Sequence, residues 1–415
     1  MSDADSLKVP FSRPSISKED EDAVLQVLRS GWLTTGKYAL QFEKDFSTFM
    51  SKGIDFAILQ NREKMGLSND EILSLAVNSN TSGMILAMEA FGVKSGTAII
   101  TTPYTFVSTA ACAKHLGADV YFADLESDSY NIDPAKVKEI LEKDRKSGNN
   151  KVVAIVPVHI AGNPCNMREI CALAKQYNVK VIEDAAHSFP SKTSLGFAGT
   201  IADAGVFSFY ATKTMTTAEG GMVCTRNPDA YKRMVTMRLH GMDRTTWDRY
   251  TSPKASWEYD IVAPGYKFNL PDLLACLGIT QLAKANNFFE KRVKIVEKYN
   301  HAFRKSDFLE LPPDAQGNAW HLYLLRIKPQ MLKITREEFA KELQLAGIGI
   351  SVHFIPLFNF TYWKELDKNF RSENYPTAQQ QYSRTITIPL WPDMSDQMVN
   401  QVIEAVLTIG KENHV

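Results

Sequence analysis

Short apolar runs alternate with helical patterns between about residues 74 and 225. Helical patterns cover 133–143 and 166–177, and the first opens on Asp133-Pro134, a capping acid followed by a proline at the first turn. The apolar runs predict buried strands over 98–101, 119–123, 152–156 and 179–182. This β-α-β order predicts the α/β class, with a mainly parallel sheet that helices cover on both faces.

The pattern of apolar positions changes after about residue 285. It predicts a long helix over 272–306, strands over 319–328 and 348–355, and helices over 335–346 and 395–411. We therefore expect a large domain, 1–285, and a smaller α+β domain, 286–415, connected by the long helix.

Two segments of the large domain lie outside the β-α-β pattern: an N-terminal segment, 1–35, and a partly charged stretch, 51–73. The stretch 51–73 carries no evident chemistry. We interpret it as a surface excursion that ends in a helix over 69–75.

Composition limits the class of protein. A chain of 415 residues, 44% of them hydrophobic, is long enough for two domains with separate cores. The 47 basic and 47 acidic side chains leave no net charge, which argues against a nucleic-acid-binding surface. No apolar run reaches the length of a membrane span, and Met1 to Asp5 lacks the basic and apolar regions of a signal peptide.

The five cysteines are odd in number and do not have the spacing of a metal site, so they are interpreted as reduced, buried thiols. Together with the composition, they predict a soluble cytoplasmic enzyme that holds no metal and binds neither nucleic acid nor a membrane.

The candidate chemistry centres on Lys213 and Asp184. A lone lysine is usually a solvated surface group, and an Asp after a strand is usually a helix cap. Here Asp184 closes the run 179–184, and Lys213 follows the apolar run 205–209, so both lie where open α/β sheets bind ligands. Pyridoxal phosphate (PLP) needs this pair: a lysine to form the Schiff base and an acid to keep the pyridine nitrogen protonated as an electron sink.

Phosphate and ring contacts are also expected. Thr81 and Ser82 stand where a helix begins, which by itself indicates an ordinary N-cap, but hydroxyls at a helix N-terminus also bind phosphate. Ser208, five residues before the lysine, is placed to donate a further hydroxyl. Phe106 follows a strand end and suits stacking on the pyridine ring, although a core position is equally compatible with it.

These residues lie in a series of recognisable motifs. They are GWLTTG at 31–36, PVH at 157–159, EDAAH at 183–187, the Lys213 loop through EGG at 219–221, and PGYKFN at 264–269. With them the chain resembles the DegT/StrS family of PLP-dependent sugar aminotransferases, from about residue 9 to 410 except 51–73. The resemblance implies the fold-type-I aminotransferase architecture. NTSGM at 80–84, AWHL at 319–322 and PLWPDM at 389–394 are most similar to the branch that aminates UDP-4-keto sugars.

The resemblance implies a role for each matching residue. It places Lys213 in the Schiff base, Asp184 on the pyridine nitrogen, His187 near the cofactor's phenolic oxygen, Phe106 on the ring, Thr81, Ser82 and Ser208 on the phosphate, and Asn269 on the phosphate of the partner subunit's cofactor. Trp32, Thr34 and His353 are expected near the sugar or nucleotide, although a lone histidine on a strand such as His353 is more often structural.

The implied reaction is ping-pong transamination in a homodimer. Glutamate gives its amino group, leaving 2-oxoglutarate, and a nucleotide-linked keto sugar accepts it for bacterial surface polysaccharide or lipopolysaccharide biosynthesis. Lys213 is then both nucleophile and proton carrier, which requires an amine pKa near the working pH. Three alternatives stay open: a 3-keto-sugar aminotransferase, a non-catalytic PLP-binding regulator, and the family's dehydratase branch, which has histidine in place of this lysine.

Overall fold

The computed structural model describes residues 8–243 and 258–415, and within them the main sheet has seven strands. In chain order the strands are β1 (Leu73–Val77), β2 (Ala98–Thr101), β3 (Asp119–Phe122), β4 (Val152–Ile155), β5 (Lys180–Asp184), β8 (Ala204–Ser208) and β9 (Gly221–Thr225). A short hairpin, β6 (Lys192–Thr193) and β7 (Gly196–Phe197), lies between β5 and β8.

Across the main sheet the order is β1-β9-β8-β5-β4-β2-β3. The five strands from β8 to β3 are parallel, while β9 runs antiparallel to both of its neighbours. The predicted mainly parallel sheet is therefore confirmed. The parallel strands end at one edge, and this brings Asp184 at the end of β5 beside Ser208 at the end of β8.

Helices cover both faces of this sheet. They are α1 (Lys18–Ser30), α2 (Lys37–Lys52), α3 (Phe56–Met65), α4 (Asn80–Ala90), α5 (Ser108–His115), α6 (Pro134–Lys146), α7 (Met167–Tyr177) and α8 (Pro228–Arg238). Val206 of β8 packs in the core cluster beside α4, whereas its neighbour Phe207 packs with Phe42 and Phe46 of α2. Because alternate side chains enter two different cores, the central strands are mostly apolar, as their sequence pattern indicated.

The C-terminal part begins with the long helix α9 (Asp272–Phe303). It continues with the antiparallel strands β10 (Leu309–Glu310), β11 (Tyr323–Ile327) and β12 (Thr385–Ile388) and with the helices α10 (Arg336–Leu345), α11 (Thr361–Leu366), α12 (Pro376–Arg384) and α13 (Asp396–Glu412). A separate core cluster joins α9, these strands and α13. The division at residue 285 stays a prediction. In the part of the chain described, no helix has the length and apolar character needed to cross a bilayer.

Two predicted elements are wrong. Residues 69–75 do not form a helix, because Leu73 to Val77 form β1, which pairs with β9 along its whole length and is buried from Ser74 to Val77. Residues 348–355 do not form a regular strand. Only isolated bridges at Ile348 and Ser351 connect this segment to its neighbours, and beyond them the chain carries His353 into a pocket. The edge partner β12 was not predicted.

Candidate active site

A cavity of about 350 Å³ lies at the carboxyl ends of β5 and β8. This volume is within the range of small-molecule and cofactor sites. Seven residues singled out in the sequence line it: Thr81, Phe106, Asp184, His187, Ser208, Lys213 and His353. The lining also includes His321 and Phe354, which belong to the C-terminal part of the chain. Both parts of the chain therefore contribute to the pocket.

Lys213 lies in the loop between β8 and β9. Its backbone amide donates a 2.9 Å hydrogen bond to the carbonyl of Tyr210, which closes a tight turn just beyond the strand end. Burial of the amine lowers the pKa of Lys213 to about 8, and the attraction of Asp184 limits that fall. The amine is therefore a usable nucleophile and proton carrier near neutral pH.

Asp184 is 3% exposed, and burial raises the pKa of its carboxyl above the ordinary value. Three groups donate hydrogen bonds to it: the hydroxyl of Thr109 at 2.7 Å, the amide of Ala186 at 3.2 Å and the side-chain amide of Asn80 at 3.4 Å. The first two oppose the rise in the pKa. The positive charge of Lys213 also favours the ionised carboxylate. The carboxylate is thus held by polar contacts of the kind that keep a buried acid ionised.

The N-terminus of α4 forms part of the pocket wall, since Ser79, Asn80 and Thr81 line the cavity. Ser79 caps the helix, since its hydroxyl accepts a 3.1 Å hydrogen bond from the amide of Ser82. Gly221 allows this close approach, because a Cβ there would lie 2.8 Å from the amide nitrogen of Asn80. Thr81 lines the pocket within the first turn, where helix amides have no carbonyl partner.

Ser208 completes this end of the pocket. Its hydroxyl oxygen accepts a 3.3 Å hydrogen bond from the amide of Tyr210, so the hydroxyl proton is left to donate. A helix N-terminus flanked by two hydroxyls, those of Thr81 and Ser208, is a site that suits a phosphate group.

His187 is buried, and its protonation can be assigned from its contacts. Its Nδ1 accepts a 3.2 Å hydrogen bond from the amide of Ala161, so Nδ1 carries no proton. Burial, with Lys213 nearby, lowers the pKa of His187 well below its ordinary value, and the neutral ring therefore carries its proton on Nε2. The ring stacks on Phe354, with 5.5 Å between centroids. A neutral Nε2–H at the pocket can donate to a phenolic oxygen.

Two further histidines, His321 and His353, line the same pocket as Lys213. The Nδ1 atom of His353 lies 3.0 Å from the hydroxyl oxygen of Thr387. Burial lowers the pKa of His353 to about 4. His321 is buried with its ring centroid 4.5 Å from that of His187. Burial lowers the pKa of His321 well below its ordinary value, so the pocket presents neutral imidazole rings.

Phe106 is 60% exposed although it lines the pocket, and its ring centroid is 6.2 Å from that of Phe354. The ring lies just before α5, which begins at Ser108. The structure places it at the cavity and outside the core, which is where a stacking residue has to lie.

The other predicted residues lie outside the pocket lining. Ser82 is buried, with its hydroxyl 2.9 Å from that of Ser79. The side-chain amide of Asn269 donates a 2.6 Å hydrogen bond to the hydroxyl of Thr35. Trp32 and Thr34 belong to the same segment as Thr35, so Trp32, Thr34 and Asn269 form a second group, separate from the group around Lys213.

Sequence reasoning assigned no role to three residues of the site. Asn80 ties α4 to the sheet, because its side-chain amide donates 2.8 Å to the carbonyl of Val206 as well as approaching Asp184. Thr109 holds the other oxygen of Asp184, and His321 packs beside His187. Of the three, His321 and Asn80 lie in motifs that carry the family resemblance, AWHL at 319–322 and NTSGM at 80–84.

The pocket suits PLP in its chemistry. It combines an amine, a buried carboxylate, a phosphate-binding helix end and an exposed aromatic ring in one cavity. Within residues 8–243 and 258–415, no three His, Cys, Asp or Glu side chains are grouped so that they could hold a metal ion. The fold and site thus define a PLP-dependent enzyme with an α/β fold.

Comparison with known proteins identifies the family. The model of the DegT/DnrJ/EryC1/StrS aminotransferase family matches residues 14–61 and 70–407, so the chain belongs to this family, which is PLP-dependent. Between its two segments the match omits 62–69, which contains the end of α3 and lies within the stretch 51–73. The interpretation of 51–73 as a surface excursion stays a prediction.

Relatives resemble the chain over nearly its whole length. The spore coat polysaccharide biosynthesis protein SpsC of Bacillus subtilis is 38% identical over 406 residues, 97% of both chains. The putative sugar aminotransferase Spr1654 of Streptococcus pneumoniae, solved in a PLP form, is 28% identical with a TM-score of 0.83 over 97% of this chain and 99% of that one. PseC of Helicobacter pylori, an aminotransferase of pseudoaminic acid biosynthesis, is 26% identical with a TM-score of 0.84 over 97% and 99%.

Proposed function

We propose that this protein is a sugar aminotransferase that moves the amino group of glutamate to a keto sugar nucleotide, specifically a UDP-4-keto sugar. Its product would serve bacterial surface polysaccharide or lipopolysaccharide biosynthesis in the cytoplasm. The observation that carries the proposal is the presence of Lys213 and the Asp184 carboxylate in one pocket beside the N-terminus of α4.

Each of these residues has a task when PLP is bound. PLP withdraws electrons from the substrate carbon that bears the amino group and so makes its proton acidic. Asp184 holds the proton of the pyridine nitrogen in place, and its own donors keep it ionised for that purpose. Thr81, Ser208 and the first amides of α4 bind the phosphate and fix the orientation of the ring.

Lys213 would hold PLP through its Nζ. Its free amine would then act as the base and acid that moves a proton from the α-carbon of the donor to the cofactor. An amine with a pKa of about 8 can both accept and return that proton near neutral pH. His187, whose Nδ1 is held by the amide of Ala161, would donate from Nε2 to the phenolic oxygen of bound PLP.

The nature of the pocket supports a sugar as the acceptor. In the described residues, Lys213 is the only lysine or arginine of the lining, and three neutral histidines surround it. A neutral imidazole both donates and accepts hydrogen bonds, as does a sugar hydroxyl. The names of SpsC and PseC point to the same class of pathway, since both belong to carbohydrate biosynthesis.

The second group of residues supports a shared site. Trp32, Thr34 and Asn269 lie outside the pocket of their own chain, although each matches a functional motif of the family. We propose that in a homodimer they enter the partner's pocket, with Asn269 on the phosphate and Trp32 and Thr34 near the sugar nucleotide. Affinity for PLP would then depend on dimerisation.

The test is a panel of UDP- and dTDP-linked 3-keto and 4-keto sugars, each incubated with the purified protein, PLP and glutamate. We expect 2-oxoglutarate and an amino sugar to appear in equal amounts and fastest with a UDP-4-keto sugar. Faster turnover of a 3-keto sugar would move the assignment to that branch. Loss of the bound-PLP absorbance without any sugar product would overturn the acceptor, and no spectral response to glutamate would indicate a regulator.

A further inference from the structure

Both oxygens of the Asp184 carboxylate are engaged by the protein. One oxygen, Oδ2, accepts a 2.7 Å hydrogen bond from the hydroxyl of Thr109, the shortest of its contacts. The other, Oδ1, accepts from the amide of Ala186 at 3.2 Å and from Asn80 at 3.4 Å. The direct contact from a neutral hydroxyl therefore dominates the hydrogen bonding of the acid.

A second threonine supports the first. The hydroxyl oxygen of Thr105 lies 2.9 Å from that of Thr109, and both residues are buried, at 2% and 0% exposure. An ionised carboxylate only accepts hydrogen bonds, and a hydroxyl has one proton to give. Thr109 gives its proton to Asp184, so Thr105 must donate to Thr109. The two hydroxyls thus point in one direction, toward the carboxylate, and each polarises the next.

The charged and titratable groups around Asp184 come from several elements. Lys213 follows β8 and His159 follows β4, and both favour the ionised acid through space. Cys112 of α5 is close enough for Asp184 to help raise the pKa of its thiol. Burial opposes the attraction of Lys213 and His159 and raises the pKa of Asp184, so the acid depends on its donors to stay ionised.

We propose that Thr109, oriented by Thr105, is a positioning residue that holds the Asp184 carboxylate ionised and aimed at the pyridine nitrogen of PLP. The proposal rests on the proposed function only in requiring that PLP binds in this pocket with its nitrogen toward Asp184. Without the Thr109 hydroxyl, the proton shared by the acid and the nitrogen moves toward Asp184, and the pyridine ring becomes a weaker electron sink.

The experiment uses the full-length protein loaded with PLP that carries ¹⁵N in its pyridine ring. The ¹⁵N chemical shift distinguishes a protonated from a neutral ring nitrogen without any turnover. Asp184→Asn provides the reference for the neutral nitrogen. We expect Thr109→Val to move the ¹⁵N signal from the wild-type position toward that reference, and Thr105→Val to move it less. Thr109→Ser keeps a hydroxyl at this position, so its signal should stay at the wild-type position.

Thr101→Val is the matched control. Thr101 is also fully buried, but its hydroxyl donates to the carbonyl of Val156 at 2.8 Å, away from Asp184. This variant should lose a buried hydroxyl at similar cost to stability and keep the wild-type nitrogen signal. In the half-reaction with glutamate, Thr109→Val should be about tenfold slower than Thr101→Val. A factor of about ten is what a change of one unit in the pKa of Asp184 corresponds to.

The outcomes separate the proposal from the proposed function. Identical nitrogen signals in Thr109→Val and Thr101→Val would overturn the role of Thr109, whatever the sugar substrate is. A shifted signal in a protein that aminates no sugar would support Thr109 and count against the acceptor. Should Thr109→Val fail to fold, Thr105→Val and Thr109→Ser decide the question. An unchanged nitrogen signal and an unchanged rate in Thr105→Val would refute the proposed alignment of the Thr105 and Thr109 hydroxyls.

Discussion

The carboxylate of Asp272 accepts a 2.7 Å hydrogen bond from the backbone amide of Gly36, although the two residues are 236 positions apart. It accepts two more from the amides of Tyr38 and Ala39, so the acid at the beginning of α9 caps the beginning of α2. The amide of Asp272 in turn donates to the carbonyl of Thr34. One buried side chain thereby fixes the segment that contains Trp32 and Thr34 beside Asn269.

Replacing this acid gives the first prediction. Asp272→Ala removes the cap of α2, so we expect a loss of about 0.5–2 kcal/mol in the free energy of unfolding. Because the same change frees the segment around Thr34 and Asn269, it should also weaken PLP binding. Denaturant unfolding and fluorescence titration with PLP measure the two effects.

Asp133→Ala is its control, since Asp133 caps α6 by accepting a 2.7 Å hydrogen bond from the amide of Ala135, in a helix outside the pocket. The control should lose comparable stability and keep its affinity for PLP. Equal PLP affinity in the two variants would mean that the Asp272 segment does not contribute to the site.

The second prediction concerns the covalent attachment of PLP. Lys213→Ala should abolish turnover and the absorbance of lysine-bound PLP, because the pocket has no other lysine in its described lining to replace the amine. Lys138→Ala on the surface of α6, where the lysine faces Glu142, should behave as wild type. Transaminase activity of the alanine variant with added PLP would show that the assignment of Lys213 is wrong.

The third prediction is a pH dependence of the PLP-free protein. The pKa of Lys213 is about 8 in the folded state against an ordinary value of 10.5. Between these values the unfolded chain holds a proton that the folded protein has released, so the stability of the wild type rises with pH in this interval. Lys213→Met has no such proton.

The methionine variant should therefore exceed the wild type in stability below about pH 8, and the excess should disappear as the pH approaches 10.5. Thermal unfolding across this interval measures the difference. Lys138→Met, at an exposed lysine, serves as the flat reference. A difference between Lys213→Met and wild type that stays constant with pH would refute a depressed amine pKa.

The fourth prediction addresses the shared site. A Lys213→Ala protomer is mixed with an Asn269→Ala protomer under conditions of subunit exchange. If Asn269 acts in the partner's pocket, each mixed dimer has one site with both defects and one with neither, so tight PLP binding should return in half of the sites of the mixed dimers. No recovery of tight sites, or full activity of a monomer at high dilution, would exclude the shared site.

Local sequence was sufficient for much of the fold. The strands β2, β4 and β5 were predictable because they are largely buried on both faces and so contain short apolar runs. The positions of Lys213 and Asp184 followed from the same pattern, since both stand just after such runs. The edge strand β1 was missed because Leu73 to Val77 is fixed by pairing with β9, about 150 residues later, and not by its own pattern.

The sequence by itself determined the α/β class, the strand-end lysine and acid, and the motifs that mark the family. Only the tertiary structure decided which side chains contact this lysine and this acid. Thr109 and Asn80 reach Asp184 from 75 and 104 positions away, and a spacing of that size carries no periodic signal along the chain. It also decided that Asn269 lies with Thr35 and outside its own pocket. Hydrogen bonds between distant segments depend on how the sheet orders its strands, and that order is a property of the packed chain.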